Sequence, residues 1–304
     1  MRELTVIPVP GPGAEDVLVG DEGHVWTGTA DGAIFRISPD SHEAERVAST
    51  GGRPLGLEWL PDGRLLVCDA RVGLLAVAPG SGAIETLALS AAGEPLTVCN
   101  NAAVASDGTI WFTDSTRYYP VERWKDDLIE DTQSGRLIRR DPNGRLDVVL
   151  DGLAYANGVA LAADESFVAV AETGHRRIQR VWLKGPLTGQ SEAFADDMPC
   201  YPDNIARGSD GLIWVTWSSP EDPFLTRLQR GPRWVRRAAR RLPDSLKPEP
   251  QRTVRVAAFD DSGALVHDIS ADATHWHLPT GVREHDGTVW LGSLVEPAVA
   301  CFDL

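Results

Sequence analysis

Positive charge is scarce in this chain. Against 44 Asp and Glu stand 29 Lys and Arg, a formal net charge of −15. That balance works against nucleic acid and against an anionic membrane as general partners, since both are negative. Cationic ligands and metal ions are electrostatically easier. Long apolar runs are missing as well. Nothing approaches the ~18 residues of a membrane span, and the opening "MRELTVIPVPGPGAED" has no apolar signal core. The expectation is a cytoplasmic protein without a transmembrane segment. Cysteine is sparse: Cys68, Cys99, Cys200 and Cys301 are far apart and show no CxxC spacing. No thiolate metal site is visible, and reduced thiols are expected.

Glycine and proline, by contrast, are frequent (29 and 21) and punctuate the chain at short intervals, as in all-β proteins. The punctuation is periodic. "AEDVLVGDEGHVWTG", "PLGLEWLPDGRLLVCD", "CNNAAVASDGTIWFTD", "ANGVALAADESFVAVAE", "PDNIARGSDGLIWVTW" and "PTGVREHDGTVWLGS" each read as strand, acidic turn, strand. The turn acids are Glu22, Asp62, Asp107, Asp164, Asp210 and Asp286, at intervals of 40, 45, 57, 46 and 76 residues. Further strand pairs follow, such as "GAIFRI" and "GLLAV". Four strands per ~40–50 residues is the blade of a β-propeller. The expected fold is therefore an all-β, six-bladed propeller forming one domain over 1–304, with the leading "LTVIPV" pairing beside "AVACFDL" to close the last blade. The competing reading is a β-sandwich with similar hairpins. The two long intervals hold insertions near 115–134 and 219–252.

Seven residues before each turn acid lie Glu15, Leu55, Asn100, Asn157, Asp203 and Pro279. The innermost strand of a blade lines the central channel, so equivalent positions form a ring. Four of the six carry side-chain oxygens, a set suited to Ca²⁺ or another hard divalent cation; the lack of His and Cys argues against Zn²⁺. Taken singly, Asn157-Gly158 or Asp203-Asn204 is ordinary turn chemistry. Turn residues in distant repeats have no reason to share a phase.

The motifs "RPLGLEWLPDGRLLVCDARVGLLAV", "DGTIWFTDST", "YANGVAL", "RVWLKGP" and "YPDNI" extend over nearly the whole chain. Through them the sequence resembles the strictosidine-synthase-like proteins, within the superfamily of gluconolactonases, paraoxonases and diisopropylfluorophosphatases. The resemblance implies a catalytic calcium at the top of the channel, held by Glu15, Asn100, Asn157 and Asp203, with Asn204 as a helper. It implies hydrolysis of small esters, lactones or organophosphates, the metal acting as Lewis acid and Asp203 as base or nucleophile. Two positions depart from the pattern. Leu55 stands where paraoxonase-like enzymes carry a catalytic histidine, and Thr280 where strictosidine synthases carry a glutamate. A non-catalytic calcium-stabilised scaffold, or a synthase or cyclase, therefore stays open beside the hydrolase.

His277 in "THWHLPTG" is a candidate replacement base, sharing a side with His275 in an extended segment. His175 is a further candidate. Both have a plain reading as loop histidines. Leu55, Tyr118, Tyr119, Trp124 and Thr280 are the expected substrate-binding residues, with Leu128 adding apolar wall. In "RWVRRAARRL" the arginines 233, 236, 237, 240 and 241 fall on one helical face opposite Trp234, Val235, Ala238, Ala239 and Leu242. Such a helix over 233–242 can rest on a membrane surface; the commoner reading is a solvated face over a packed one.

Overall fold

In the computed structural model, residues 2–304 are described, except for the side chain of Asp21. Six four-stranded antiparallel sheets follow one another along the chain. Their innermost strands are Leu18–Val19, Pro54–Trp59, Cys99–Val104, Ala156–Leu161, Cys200–Arg207 and Pro279–His285, and they define blades 1 to 6. Blade 6 takes its outermost strand from the other end of the chain: Thr5–Pro8 pairs with Ala298–Asp303, Thr5 opposite Cys301. The ring is closed by hydrogen bonds between N- and C-terminal strands.

Burial explains the composition of the strands. A blade packs both faces on its neighbours, so its inner strands read as continuous apolar runs, as in "LLVCD" and "GLLAV", buried throughout. Outermost strands meet water, and Ile84–Ala88 is accordingly exposed over most of its length. The core is a series of layers between blades: Leu66, Cys68 and Leu74 against Phe112 and Ile138, for example, or Phe194 between Phe167 and Phe259. The turn acids have a local task. Oδ1 of Asp62, Asp107, Asp164 and Asp210 accepts the backbone N–H two residues on, at 2.8–3.1 Å. In three of these turns the next residue is a glycine at φ +80 to +84, the left-handed region a tight hairpin needs.

The two insertions meet above the ring. The first carries helix α1, Trp124–Glu130; the second carries α2, Pro223–Gln229, and α3, Arg233–Arg240. Asp222 caps α2 by accepting from the N–H groups of Phe224 and Leu225. Leu128, Ile129, Leu225 and Leu228 pack with Tyr155 and Tyr201 into one helical cap, with Val235 and Ala239 of α3 behind them. The faces of α3 differ from the sequence expectation. Arg236 and Arg240 turn inward to Asp131 and Glu130, while Trp234 and Ala238 turn outward beside Arg233 and Arg237. The acids of the first insertion decide this, because they draw two arginines to the packed side.

Candidate functional site

Each inner strand of blades 2 to 6 contains a β-bulge at its channel end. In blades 3 to 6 two residues oppose one: Asn100-Asn101, Asn157-Gly158, Asp203-Asn204 and Thr280-Gly281. A bulge re-aims side chains that strict alternation would send into the sheet faces. The first residue of each pair lines a common cavity, as do Glu15 and Leu55 in blades 1 and 2. The sixth ring member is therefore Thr280 and not Pro279. The last hairpin closes with His285 directly opposite Thr288, one residue tighter than its relatives, so a fixed count back from the turn falls one short.

The amides are oriented by neighbours. Asn100 Nδ2 donates to Ser115 Oγ at 2.9 Å, and Asn157 Nδ2 donates to Thr173 Oγ1 at 3.1 Å. Both hydroxyls follow an acid that ends the second strand of the blade. These two acids, Asp114 and Glu172, and Asp69 at the same position in blade 2, accept the N–H groups of Val98, Ala154 and Arg53, on the segments leading into the ring. In blade 2 the pair is apolar instead, with Leu55 packed among Ala70, Val98 and Val121. Once the amide nitrogens are engaged, the oxygens are left over. Asn100 Oδ1, Asn157 Oδ1 and Glu15 Oε2 are buried without a hydrogen-bond partner. Such orphans are rare because each costs on the order of 1–3 kcal/mol.

The electrostatics match. Burial raises Glu15 to about 7 against the opposing pull of Arg53, whose Nη2 is 3.6 Å from Glu15 Oε2. Burial, followed by the Glu15 charge, pushes Asp203 well above the ordinary carboxylate range. Asp16, one residue deeper, rises to about 7 through burial, with Arg283 opposing. Two carboxylates and two amide oxygens thus converge where an added positive charge is favourable, and oxygen donors suit a hard divalent cation. No group of three or more His, Cys, Asp or Glu placed to hold a metal ion by themselves exists among the described residues; half of the donor set is amide.

The cavity, ≈ 810 Å³ with its mouth, has mostly apolar walls: Val121, Trp124, Leu128, Leu225, Leu278 and Leu294, with Tyr155 and Tyr201. Of the residues expected there, Leu55, Trp124, Leu128 and Thr280 line it. Tyr118 and Tyr119 do not. They border an outer groove with Glu130 and Arg237, Tyr119 bonded to Glu130 and Tyr118 two-thirds exposed. His277 is also outside, held between Glu296 and Arg252. Burial of Trp276 sets the phase of that segment, sending His275 and His277 away from the core. His175 contacts Asp131 of the cap at 3.2 Å. Asn204 lies beneath the ring, buried, with neither amide atom partnered. Residues not anticipated include Arg53, Thr173, Tyr155 and Leu278. The last two hold left-handed backbone, φ +60 and +54, two residues before their ring positions. Strain of this kind gathers at functional sites.

Comparison with known proteins agrees with the architecture. A family model described as SMP-30/Gluconolactonase/LRE-like region matches residues 17–222. Protein STRICTOSIDINE SYNTHASE-LIKE 10 of Arabidopsis thaliana is 34% identical over 280 residues, spanning 88% of this chain and 72% of that protein. The human adipocyte plasma membrane-associated protein is 34% identical over 316 residues, spanning 93% and 75%. Among solved structures, a gluconolactonase of Xanthomonas campestris superposes with a TM-score of 0.72 at 17% identity, covering 99% of this chain and 89% of that one. A calcium-binding protein, regucalcin, from Agrobacterium tumefaciens gives 0.68 at 13% identity, covering 97% and 90%. The chain belongs to the SMP-30/gluconolactonase/LRE-like family of six-bladed propellers and has strictosidine-synthase-like relatives.

Proposed function

We propose that the protein is a metal-dependent hydrolase of apolar esters or lactones, with calcium or another hard divalent cation held by Glu15, Asn100, Asn157 and Asp203. The observation that carries this reading is the set of three buried, unpartnered oxygens on Glu15, Asn100 and Asn157, aimed at the cavity that Asp203 also lines. A bound cation supplies Lewis-acid polarisation of the substrate's carbonyl or phosphoryl oxygen. Asp203 is the ring donor with partial exposure, so its carboxylate is where incoming water or substrate arrives. It accepts the proton of the attacking water, or attacks directly. Ser115 and Thr173 hold the amides in register. Trp124, Leu128, Leu225 and the tyrosines exclude bulk water and favour an apolar acyl or alkyl group over a polyhydroxylated sugar lactone.

The scaffold alternative draws on one specific fact: no histidine is among the residues lining the cavity. A synthase has relatives in its favour but has Thr280 where a carboxylate would be needed. A panel of alkyl and aryl lactones and esters, assayed with calcium and with EDTA, separates the readings. Metal-dependent turnover that Asp203→Asn abolishes while leaving the thermal melt cooperative supports the hydrolase. Calcium binding without turnover of any member of the panel supports the scaffold.

A further inference from the structure

We propose that the outer surface of residues 223–247 docks onto anionic lipid bilayers. In a chain of net charge −15, this stretch carries eight Lys and Arg against a single acid, Asp244. Three of the eight are engaged by the cap: Arg236 with Asp131, Arg240 with Glu130 and Lys247 with Asp126. The others face out. Arg227, Arg230, Arg233 and Arg241 are exposed and have no carboxylate partner among the described residues, and Arg237 is exposed beside Glu130.

Between these cations the same stretch exposes large apolar side chains. Trp234 is 73% exposed, Leu246 64%, Phe224 58% and Leu242 39%. An indole and a phenyl ring left in water forgo the gain their burial would bring, and a soluble surface has no need of either. Trp234 shares the outer stripe of α3 with Arg233, Arg237, Ala238 and Arg241. Arginines flanking an exposed aromatic on a surface helix form the footprint of an interfacial helix: the ring enters the headgroup boundary while the guanidinium groups meet lipid phosphate. The acidic remainder of the molecule does not forbid this, because its field is screened beyond about 8 Å at physiological salt.

Position gives the docking a consequence. Asp222 and Leu225 at one end of the stretch, and Pro248, Glu249 and Pro250 just beyond the other, line the cavity. Seating the cap on a bilayer sets the cavity mouth at the lipid surface, where apolar substrates concentrate. The proposal does not depend on what the cavity does, and its test needs no turnover.

The full-length protein is sedimented with vesicles of pure phosphatidylcholine and with vesicles containing about one third phosphatidylserine, at salt of about 0.1 M. Partition onto the mixed vesicles at least tenfold above the neutral ones, falling as salt rises, is expected. R230Q/R233Q/R241Q lowers it by about a hundredfold, from about fivefold per cation, and W234A lowers it further at unchanged far-ultraviolet circular dichroism. R36Q/R145Q, outside the stretch, leaves it intact. Equal partition onto both vesicle types, or an unchanged partition of the triple variant, overturns the proposal. Self-association in light scattering that W234A abolishes, with no lipid binding, overturns it in favour of a second copy of this chain.

Discussion

Replacing Glu15 by glutamine tests the ring without presupposing what it binds. In the metal-free protein the Glu15 carboxyl is held at about 7 by burial, against 4.5 as the ordinary value. The folded state therefore binds its proton more tightly than the unfolded state does. A carboxyl raised in this way contributes stability that is fully present below pH 4.5 and is lost as pH climbs through 7. At about 1.4 kcal/mol for each pH unit of difference, the loss amounts to roughly 3 kcal/mol. Glutamine has the same shape and no proton to lose. Urea denaturation in EDTA should thus find wild type and Glu15→Gln similar at pH 5, and the variant more stable at pH 8 by about 3 kcal/mol. Saturating calcium should invert the order: at a thousandfold excess over its Kd, bound metal adds about 4.1 kcal/mol to the wild type and little to the variant. A stability difference that stays flat from pH 5 to pH 8 in EDTA would refute the reasoning, since Glu15 would then not be a desolvated acid facing other acids.

Ser115→Ala and Thr173→Val free the amides of Asn100 and Asn157; each should weaken calcium binding in a calorimetric titration by about tenfold, as loss of ligand support does, and cost about 1–3 kcal/mol in the metal-free protein because a buried amide loses its acceptor, Thr173→Val also giving up its bond to the Pro202 carbonyl. Gly158→Ala should prevent folding or cost more than about 3 kcal/mol, because its Cβ would meet Ile205 N at 2.0 Å, whereas Gly80→Ala, with nothing within 4 Å, should be near neutral in the same denaturation assay. Arg136→Met removes the partner of Asp114, 2.6 Å away with both side chains fully buried, and should destabilise by about 3–5 kcal/mol, most of it recovered in the double variant with Asp114→Asn.

The fold was legible because its signals are local. An acid that caps its own turn, followed by a glycine at positive φ, repeats wherever a hairpin repeats, and an apolar run between such turns has little else to become. The ring was legible because oxygen-bearing side chains at one phase in four of six hairpins have no local explanation. What failed to show depended on distant partners. Thr280 was displaced from the counted position by a turn one residue shorter, a difference that strand pairing reveals and spacing hides. The outward side of α3 was set by Glu130 and Asp131, about a hundred residues earlier in the chain. His277 was turned away by the burial of its neighbour Trp276. One signal was present and unread: "VCDA", "FTDS" and "VAET" end the second strands of blades 2, 3 and 4. The acid clamps the backbone ahead of the ring, and the residue after it, Ala70, Ser115 or Thr173, matches Leu55, Asn100 or Asn157 in polarity.

Beneath the donors, the channel follows a period of two blades. The second bulge position and its counterpart in blades 1 and 2 read Asp16, Gly56, Asn101, Gly158, Asn204 and Gly281 around the ring, polar and glycine in strict alternation. Sterics demand this. A Cβ on Gly56 would stand 2.7 Å from the Asn101 Cα, one on Gly158 2.6 Å from the Asn204 Cα, and one on Gly281 2.5 Å from the Asp16 Cα. Six side chains cannot share one level so near the axis; three can, if each leans over a glycine next door. The spokes are tied across blades, with Asp16 accepting the N–H of Leu57 at 2.9 Å and Asn101 that of Val159 at 2.9 Å. Thr113 and Thr216, opposite the bulges of blades 3 and 5, donate to the carbonyls of Asn157 and Thr280 in the next blade, both at 2.7 Å. Asn157 is thereby fixed from below by a neighbouring blade as well as from the side by the Thr173 hydroxyl. Asn100 is held from the side by Ser115, and the Glu15 carbonyl accepts from Thr280 Oγ1 at 2.8 Å, so all three residues stay at the cavity, where collapse onto one another would otherwise relieve their unpaired oxygens.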